Sequence, residues 1–185
     1  RRRHTRCLSD WSSDVLFRST GGGLTLSAGT ETLSGANTYT GATTINGGTL
    51  RITNNAGLGG TAGGTIVSSG ATLELSNVSV GAETITLAGG TLRDDTSSLA
   101  GNIILTANSY LTATNSGDTL ALSGSISGSF GLTLSGLGTT LLSGANTYTG
   151  ATTINSGTLK LGSAGALGTS SDGTTGTSDR KSTRL

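Results

Sequence analysis

The chain has 185 residues, of which 32% are hydrophobic, 3% aromatic and 11% charged, and its formal net charge is +1. The length corresponds to about one domain, but the hydrophobic content is too low for a thick globular core. Few charges and regularly spaced Leu, Ile and Val argue against disorder. The composition therefore predicts a folded chain with a narrow core.

The two ends differ from the rest of the chain. Residues 1–18 contain the only His, Cys and Trp of the protein, which are His4, Cys7 and Trp11. Residues 176–185 have a similarly foreign composition. We predict that both ends are non-native sequence, with native disordered tails as the alternative, and that residues 19–175 form the body of the fold.

The body carries three basic and seven acidic residues, a formal charge of −4. It has no basic stripe, which excludes a nucleic-acid partner. It has no cysteine, which excludes a disulfide framework and a thiolate metal site, and we predict no cofactor. No apolar stretch is long enough to span a membrane, and no signal peptide is recognised at the N-terminus.

From residue 24 onward, short runs alternate apolar with small polar residues, which is the period of a β-strand. No run has the period of an amphipathic helix. Glycine pairs precede several runs and predict turns with positive φ, and we expect Phe130 to fill the core where the rhythm loosens. The clearest runs are "LTLSAG", "TTINGGTLRI", "GTIVSSGATLEL", "ETITLAGGTLRD", "NIILTANSYLTAT", "DTLALSG", "GLTLSG" and "TTINSGTLKL".

Two sets of apolar residues recur at nearly constant intervals, and the two sets advance together along the body. We expect each set to form one inward column of a coil with about 19–23 residues per turn. A leucine-rich repeat would need a helical segment in each repeat, so a parallel β-helix is favoured. The sets are Ile45, Ile66, Ile85 and Ile104, and Leu50, Leu73, Leu92 and Leu111.

The chain also contains one longer sequence twice. "LSGANTYTGATTINGGTLRI" occupies residues 33–52, and "LSGANTYTGATTINSGTLKL" occupies residues 142–161, with a constant offset between equivalent positions. Only three positions differ, and each change preserves size class, charge or apolar character. Such a duplication is typical of repeat architectures, in which similar units stack on one another.

These two stretches, with the "NNAGLG" and "SAGALG" that follow them, resemble the autotransporter-associated β-strand repeat of bacterial autotransporter passengers. The strong resemblance covers residues 33–59 and 142–168. It implies a right-handed parallel β-helix, displayed outside the cell through a C-terminal β-barrel translocator that is not in this sequence. We therefore expect the chain to be a fragment of an extracellular, outer-membrane-anchored protein.

Candidate chemistry is sparse. Asp94 and Asp95 are the only adjacent carboxylates, and we interpret them as a solvated turn rather than a calcium site, because neighbours in a strand point to opposite faces. Arg93 and Lys160 are the basic residues that we expect near acids. The body has no His, so the sequence predicts no catalytic residues and no metal ligands.

Other polar residues suggest structural roles. We interpret the threonines flanking Tyr39 and Ile85 as strand formers rather than an ice-binding array. Asparagines are expected either to stack as amide ladders or to occupy turns. Two tyrosines are expected to cap the core at a corner, or alternatively to contact glycans. These are Asn37, Asn46, Asn146 and Asn155, and Tyr39 and Tyr148.

The sequence thus predicts a structural or adhesive passenger segment, a β-helical stalk without catalysis of its own, whose partners are the translocator and a cell-surface glycan or protein. The alternative is part of a carbohydrate-active lyase or hydrolase whose active-site turns lie elsewhere.

Overall fold

The computed structural model describes residues 21–168 and the backbone of 175–176 and 183–184. Within these residues the chain forms twenty strands and no helix. The predicted tail at 1–18 and most of 176–185 lie outside the described residues. In chain order the strands are β1 (Leu24–Leu26), β2 (Thr30–Leu33), β3 (Thr43–Ile45), β4 (Thr49–Ile52), β5 (Thr65–Ser68), β6 (Thr72–Ser76), β7 (Ser79–Val80), β8 (Ile85–Ala88), β9 (Thr91–Asp95), β10 (Ser97–Leu99), β11 (Ile103–Ala107), β12 (Ser109–Ala113), β13 (Thr119–Leu122), β14 (Ile126–Gly128), β15 (Leu132–Gly136), β16 (Thr139–Leu142), β17 (Thr152–Ile154), β18 (Thr158–Leu161), β19 (Thr175–Gly176) and β20 (Thr183–Arg184).

The strands form three parallel sheets. Sheet A has the order β1-β3-β5-β8-β11-β14, sheet B has β2-β4-β6-β9-β12-β15-β17-β19, and sheet C has β7-β10-β13-β16-β18-β20. One complete turn contributes a strand to each of the three sheets in the order A, B, C; β8, β9 and β10 form such a turn. The fold is therefore the predicted all-β parallel solenoid, with about seven turns. The absence of helix in the described residues excludes the leucine-rich horseshoe.

The turns differ in length. Ile85 pairs with Ile103 and Ile103 with Ile126 on successive strands of sheet A, so the second of these two turns is longer than the first. Apart from a register shift at the end of β11, these strands pair in register, so most of the variation lies in the corners. Of each predicted glycine pair, one member has the positive φ expected at such a corner: Gly48 (77°), Gly64 (63°) and Gly89 (86°).

The leucine column is confirmed. Leu50, Leu73, Leu92, Leu111 and Leu134 pair in register along sheet B, and each is at most 2% exposed. Burial of one such side chain per turn contributes about 1.5–3 kcal/mol. A chain with few apolar residues can therefore fold, because most of its described Leu, Ile and Val side chains enter a narrow central core.

The isoleucine column is wrong in part. Ile45 and Ile85 point inward, but Ile66 and Ile104 lie on the outer surface of sheet A and are 38% and 39% exposed. The prediction that Phe130 fills the core is also wrong. Phe130 is 39% exposed, because it lies in the corner loop between β14 and β15.

The physical reason for the isoleucine error is a register difference of a single position. Ile66 pairs with Thr86 of the next turn, not with Ile85. Because strand side chains alternate between faces, a shift of one position moves a side chain from the core to solvent. Val67 and Leu105 occupy the inward places instead.

Candidate functional site

Each copy of the duplicated sequence forms a corner held by a buried asparagine. In the first copy, Asn37 Nδ2 donates to the Gly57 carbonyl oxygen at 2.7 Å. In the second, Asn146 Nδ2 donates to the Ala166 carbonyl, and its Oδ1 accepts from the Ile126 amide at 2.7 Å. The asparagines therefore join neighbouring turns, which a local turn residue would not do.

A buried tyrosine completes each corner. Tyr39 and Tyr148 are 1% and 0% exposed, and their hydroxyls lie 2.7 Å from Thr43 Oγ1 and Thr152 Oγ1 respectively. Burial raises the pKa of Tyr39 to about 12. The capping role predicted for these tyrosines is confirmed, and neither ring is available to contact a glycan.

Asn146→Ala is expected to lower the free energy of unfolding by about 1–3 kcal/mol, because it leaves the buried Ile126 amide without its partner. Chemical denaturation followed by circular dichroism measures the change. Asn155→Ala is the matched control, since Asn155 is exposed. Equal effects of the two substitutions would contradict the bridging role of Asn146.

Two of the buried acidic side chains have a perturbed pKa, and Asp94 is the first. It is 0% exposed, and its carboxylate oxygens make no hydrogen bond of good geometry. Burial raises the pKa of Asp94 to about 7, which the nearby Ser97 hydroxyl and Thr96 amide offset only in part. The interpretation of Asp94 as part of a solvated turn is wrong, because it lies within β9 and points into the core.

Glu83 is a second buried acid with a perturbed pKa. It is 3% exposed, and its Oε1 accepts a hydrogen bond from Thr65 Oγ1 at 2.8 Å. Burial raises the pKa of Glu83, and the bond from Thr65 opposes that rise. The sequence did not reveal the burial of either acid, because the direction of each side chain depends on the corner that precedes it.

A charge ladder crosses the outer surface of sheet B. Arg51, Glu74 and Arg93 occupy equivalent places on β4, β6 and β9. Glu74 pairs with both arginines, and Arg51 also lies 3.7 Å from Asp95. The pairing predicted for Arg93 is confirmed, whereas that of Arg51 was missed because its partners lie one and two turns away.

Other predicted residues form no cluster. Lys160 makes no ion pair within the described residues. The outward column of sheet A alternates Thr44, Ile66, Thr86 and Ile104, so its threonines do not form a continuous array. In the described part of the chain, no three His, Cys, Asp or Glu side chains are placed to hold a metal ion. That part also contains no helix capable of crossing a bilayer.

A cleft of about 470 Å³ lies at the corner between sheets B and C. It extends over four successive turns, from Asn55 in the loop after β4 to Thr119, the first residue of β13. Seven of its eight lining residues carry a side-chain amide or hydroxyl, and none of the described residues that line it is charged. We call this feature the corner cleft; its lining residues include Asn55, Asn77, Ser79, Thr96, Ser98 and Thr119.

The sequence model of the Passenger-associated-transport-repeat family matches residues 26–52 and 132–161. These two ranges contain both copies of the duplicated sequence. Both segments are similar to this repeat, and we call them the passenger repeats. The adhesin BmaC autotransporter of Brucella suis biovar 1 (strain 1330) is 42% identical over an alignment of 85 positions, which covers 42% of this chain. The chain spans about 2% of the length of that relative. No solved structure matches the chain.

The two passenger repeats occupy different faces of the solenoid. In the first repeat, β3 and β4 belong to sheets A and B, whereas the equivalent β17 and β18 of the second belong to sheets B and C. From β3 to the equivalent strand β17, the chain makes five complete turns and then passes on to the next sheet. Each repeat comprises a corner and two strands, and the same corner sequence is found at two different faces of the solenoid.

Proposed function

We propose that the chain is a structural and adhesive segment of a surface-displayed autotransporter passenger. In the full-length protein it extends a stalk outside the cell, after export through a C-terminal β-barrel translocator. The observation that carries the proposal is the pair of passenger repeats built into one parallel solenoid. The name of the relative, an adhesin, supports contact with a cell-surface glycan or protein.

The arrangement of polar groups supports a role without catalysis. Arg93 and Glu74 pair with each other on the outer surface of sheet B, whereas Asp94 points to the opposite side. A polysaccharide lyase needs a base and a carboxylate-binding group on one face. Here Arg93 and Glu74 pair with each other in the charge ladder, and Asp94 is buried in the core, so these three residues do not all meet on one face.

Display is tested with the chain placed between a signal peptide and an autotransporter translocator in a Gram-negative host. We expect the segment to be digested by protease added to intact cells, and these cells to adhere to cultured epithelial cells more than cells carrying the translocator alone. Retention of the folded segment inside the cell, or adherence equal to that of the translocator control, would contradict the proposal.

Catalysis is tested with the purified chain. We expect no cleavage of polygalacturonate, alginate or glucan oligomers, with or without calcium. Cleavage that Arg93→Ala or Asp95→Ala abolishes would instead favour a carbohydrate-active enzyme. Asn155→Ala, a substitution on the exposed surface, serves as the matched control for nonspecific loss of activity.

A further inference from the structure

The corner cleft offers hydrogen-bonding groups that the fold does not use. Within the described residues, the side chains of Asn77 and Thr119 make no hydrogen bond. The Ser98 hydroxyl donates to the Ser79 hydroxyl at 2.9 Å, which leaves the Ser79 proton free to donate outward. The cleft therefore presents both donors and acceptors, as a ligand rich in hydroxyl groups requires.

The charge around the cleft selects against anions. The Thr96 hydroxyl donates to Asp118 Oδ1 at 3.3 Å, so a carboxylate lies directly beside the lining. Asp95 precedes Thr96 in the chain, and no lysine or arginine of the described region lines the cleft. An acidic ligand would be repelled and would find no cation to pair with. An uncharged ligand meets neither obstacle.

The cleft also has a regular spacing. Ser79 pairs with Ser98 on adjacent strands, and Thr119 lies on the strand of the following turn. Parallel strands are about 4.8 Å apart. This spacing is close to the length of one pyranose unit in an extended polysaccharide. The place equivalent to Ser79 and Ser98 on the next turn is Ala121, but Asn77, Thr96 and Thr119 each lie two residues before these three positions. Successive sugar units lying along the solenoid axis would therefore meet one of these polar side chains on each of three turns.

We propose that the corner cleft binds an uncharged, extended oligosaccharide of two or three units, aligned with the axis of the solenoid. The inference deepens the adhesive part of the proposed function and rests on it. The described lining contains no aromatic ring for a sugar to stack on, so the affinity of one cleft is low, with a Kd of about 1–10 mM. A passenger with many turns would multiply such contacts.

The test is a titration of the ¹⁵N-labelled chain with cellotriose, a neutral trisaccharide, followed by amide chemical shifts. We expect saturable shifts confined to the amides of Asn77, Ser79, Ser98 and Thr119. Trigalacturonate, an acidic trisaccharide of the same length, is expected to leave these amides unchanged. Equal shifts with both sugars, or no shift with cellotriose up to about 20 mM, would overturn the inference.

A pair of variants locates the binding. Thr119→Val removes one lining hydroxyl with little change of shape and is expected to weaken cellotriose binding about 2- to 10-fold. Thr139→Val is the matched control, since Thr139 pairs with Thr119 in register but lies one turn beyond the lining. Thermal unfolding verifies that both variants fold. Identical affinities of the two folded variants would overturn the inference, whereas adherence of displaying cells tests the proposed function separately.

Discussion

Leu105→Ala is expected to lower the free energy of unfolding by about 2–5 kcal/mol, because it removes buried methyl groups and leaves a cavity in the central core. Leu105 is 2% exposed and lies inward on β11, next to Leu87 of the preceding turn. A narrow core has no second layer of side chains that could move in to fill the space. Urea denaturation followed by circular dichroism measures the change.

Ile104→Ala is the matched control for this substitution. Ile104 is the adjacent residue of the same strand, but it is 39% exposed on the outer surface of sheet A. Surface substitutions usually change stability by no more than about 0.5 kcal/mol. A larger loss for Ile104→Ala than for Leu105→Ala would show that the register of β11 is reversed.

Asp94→Asn is expected to stabilise the chain at pH 8 by a few kcal/mol, since each unit of pKa difference corresponds to about 1.4 kcal/mol. The pKa of Asp94 is about 7 in the folded chain, against an ordinary value of 3.8. Between these values the folded state keeps a proton that the unfolded state releases. Stability therefore falls as the pH rises from about 4 to 7, and the full cost is present above 7.

The measurement is the melting temperature from pH 4 to pH 8. The unsubstituted chain is expected to melt at lower temperature as the pH rises, and Asp94→Asn to remove most of that slope. A smaller slope remains from Glu83, whose pKa is also raised by burial. The control is Asp95→Asn, on the outer side of the same strand, which is expected to keep the slope. Equal slopes for the unsubstituted chain and Asp94→Asn would contradict the assignment of Asp94.

The leucine column shows what sequence spacing predicts well. Leu50, Leu73 and Leu92 lie in runs where glycine turns and alternating residues agree with each other, so the interval between them equals one turn. The same agreement predicted the buried tyrosines, because both copies place Tyr at the same distance before a strand. At these positions the local sequence pattern and the tertiary fold both favour a buried side chain.

The isoleucines show where spacing fails. Ile66 pairs with Thr86, so the turn that separates the two strands is longer by a single position than the interval from Ile66 to Ile85. The length of a turn is set by its corners, and no strand pattern reveals it. The charge ladder and the corner cleft were missed for the same reason, since both join residues of different turns that only the strand register brings together.

The sequence by itself determined the class of fold, because alternating strands, glycine corners and a repeated coil length leave little choice other than a parallel solenoid. It also marked the passenger repeats, since all but three positions in the two copies are identical. Only the tertiary structure decided which sheet each copy joins. The copies lie on different faces because the 109 residues between equivalent positions make five turns and one further sheet rather than a whole number of turns. The direction of Asp94 and the position of the corner cleft likewise depend on the strand register.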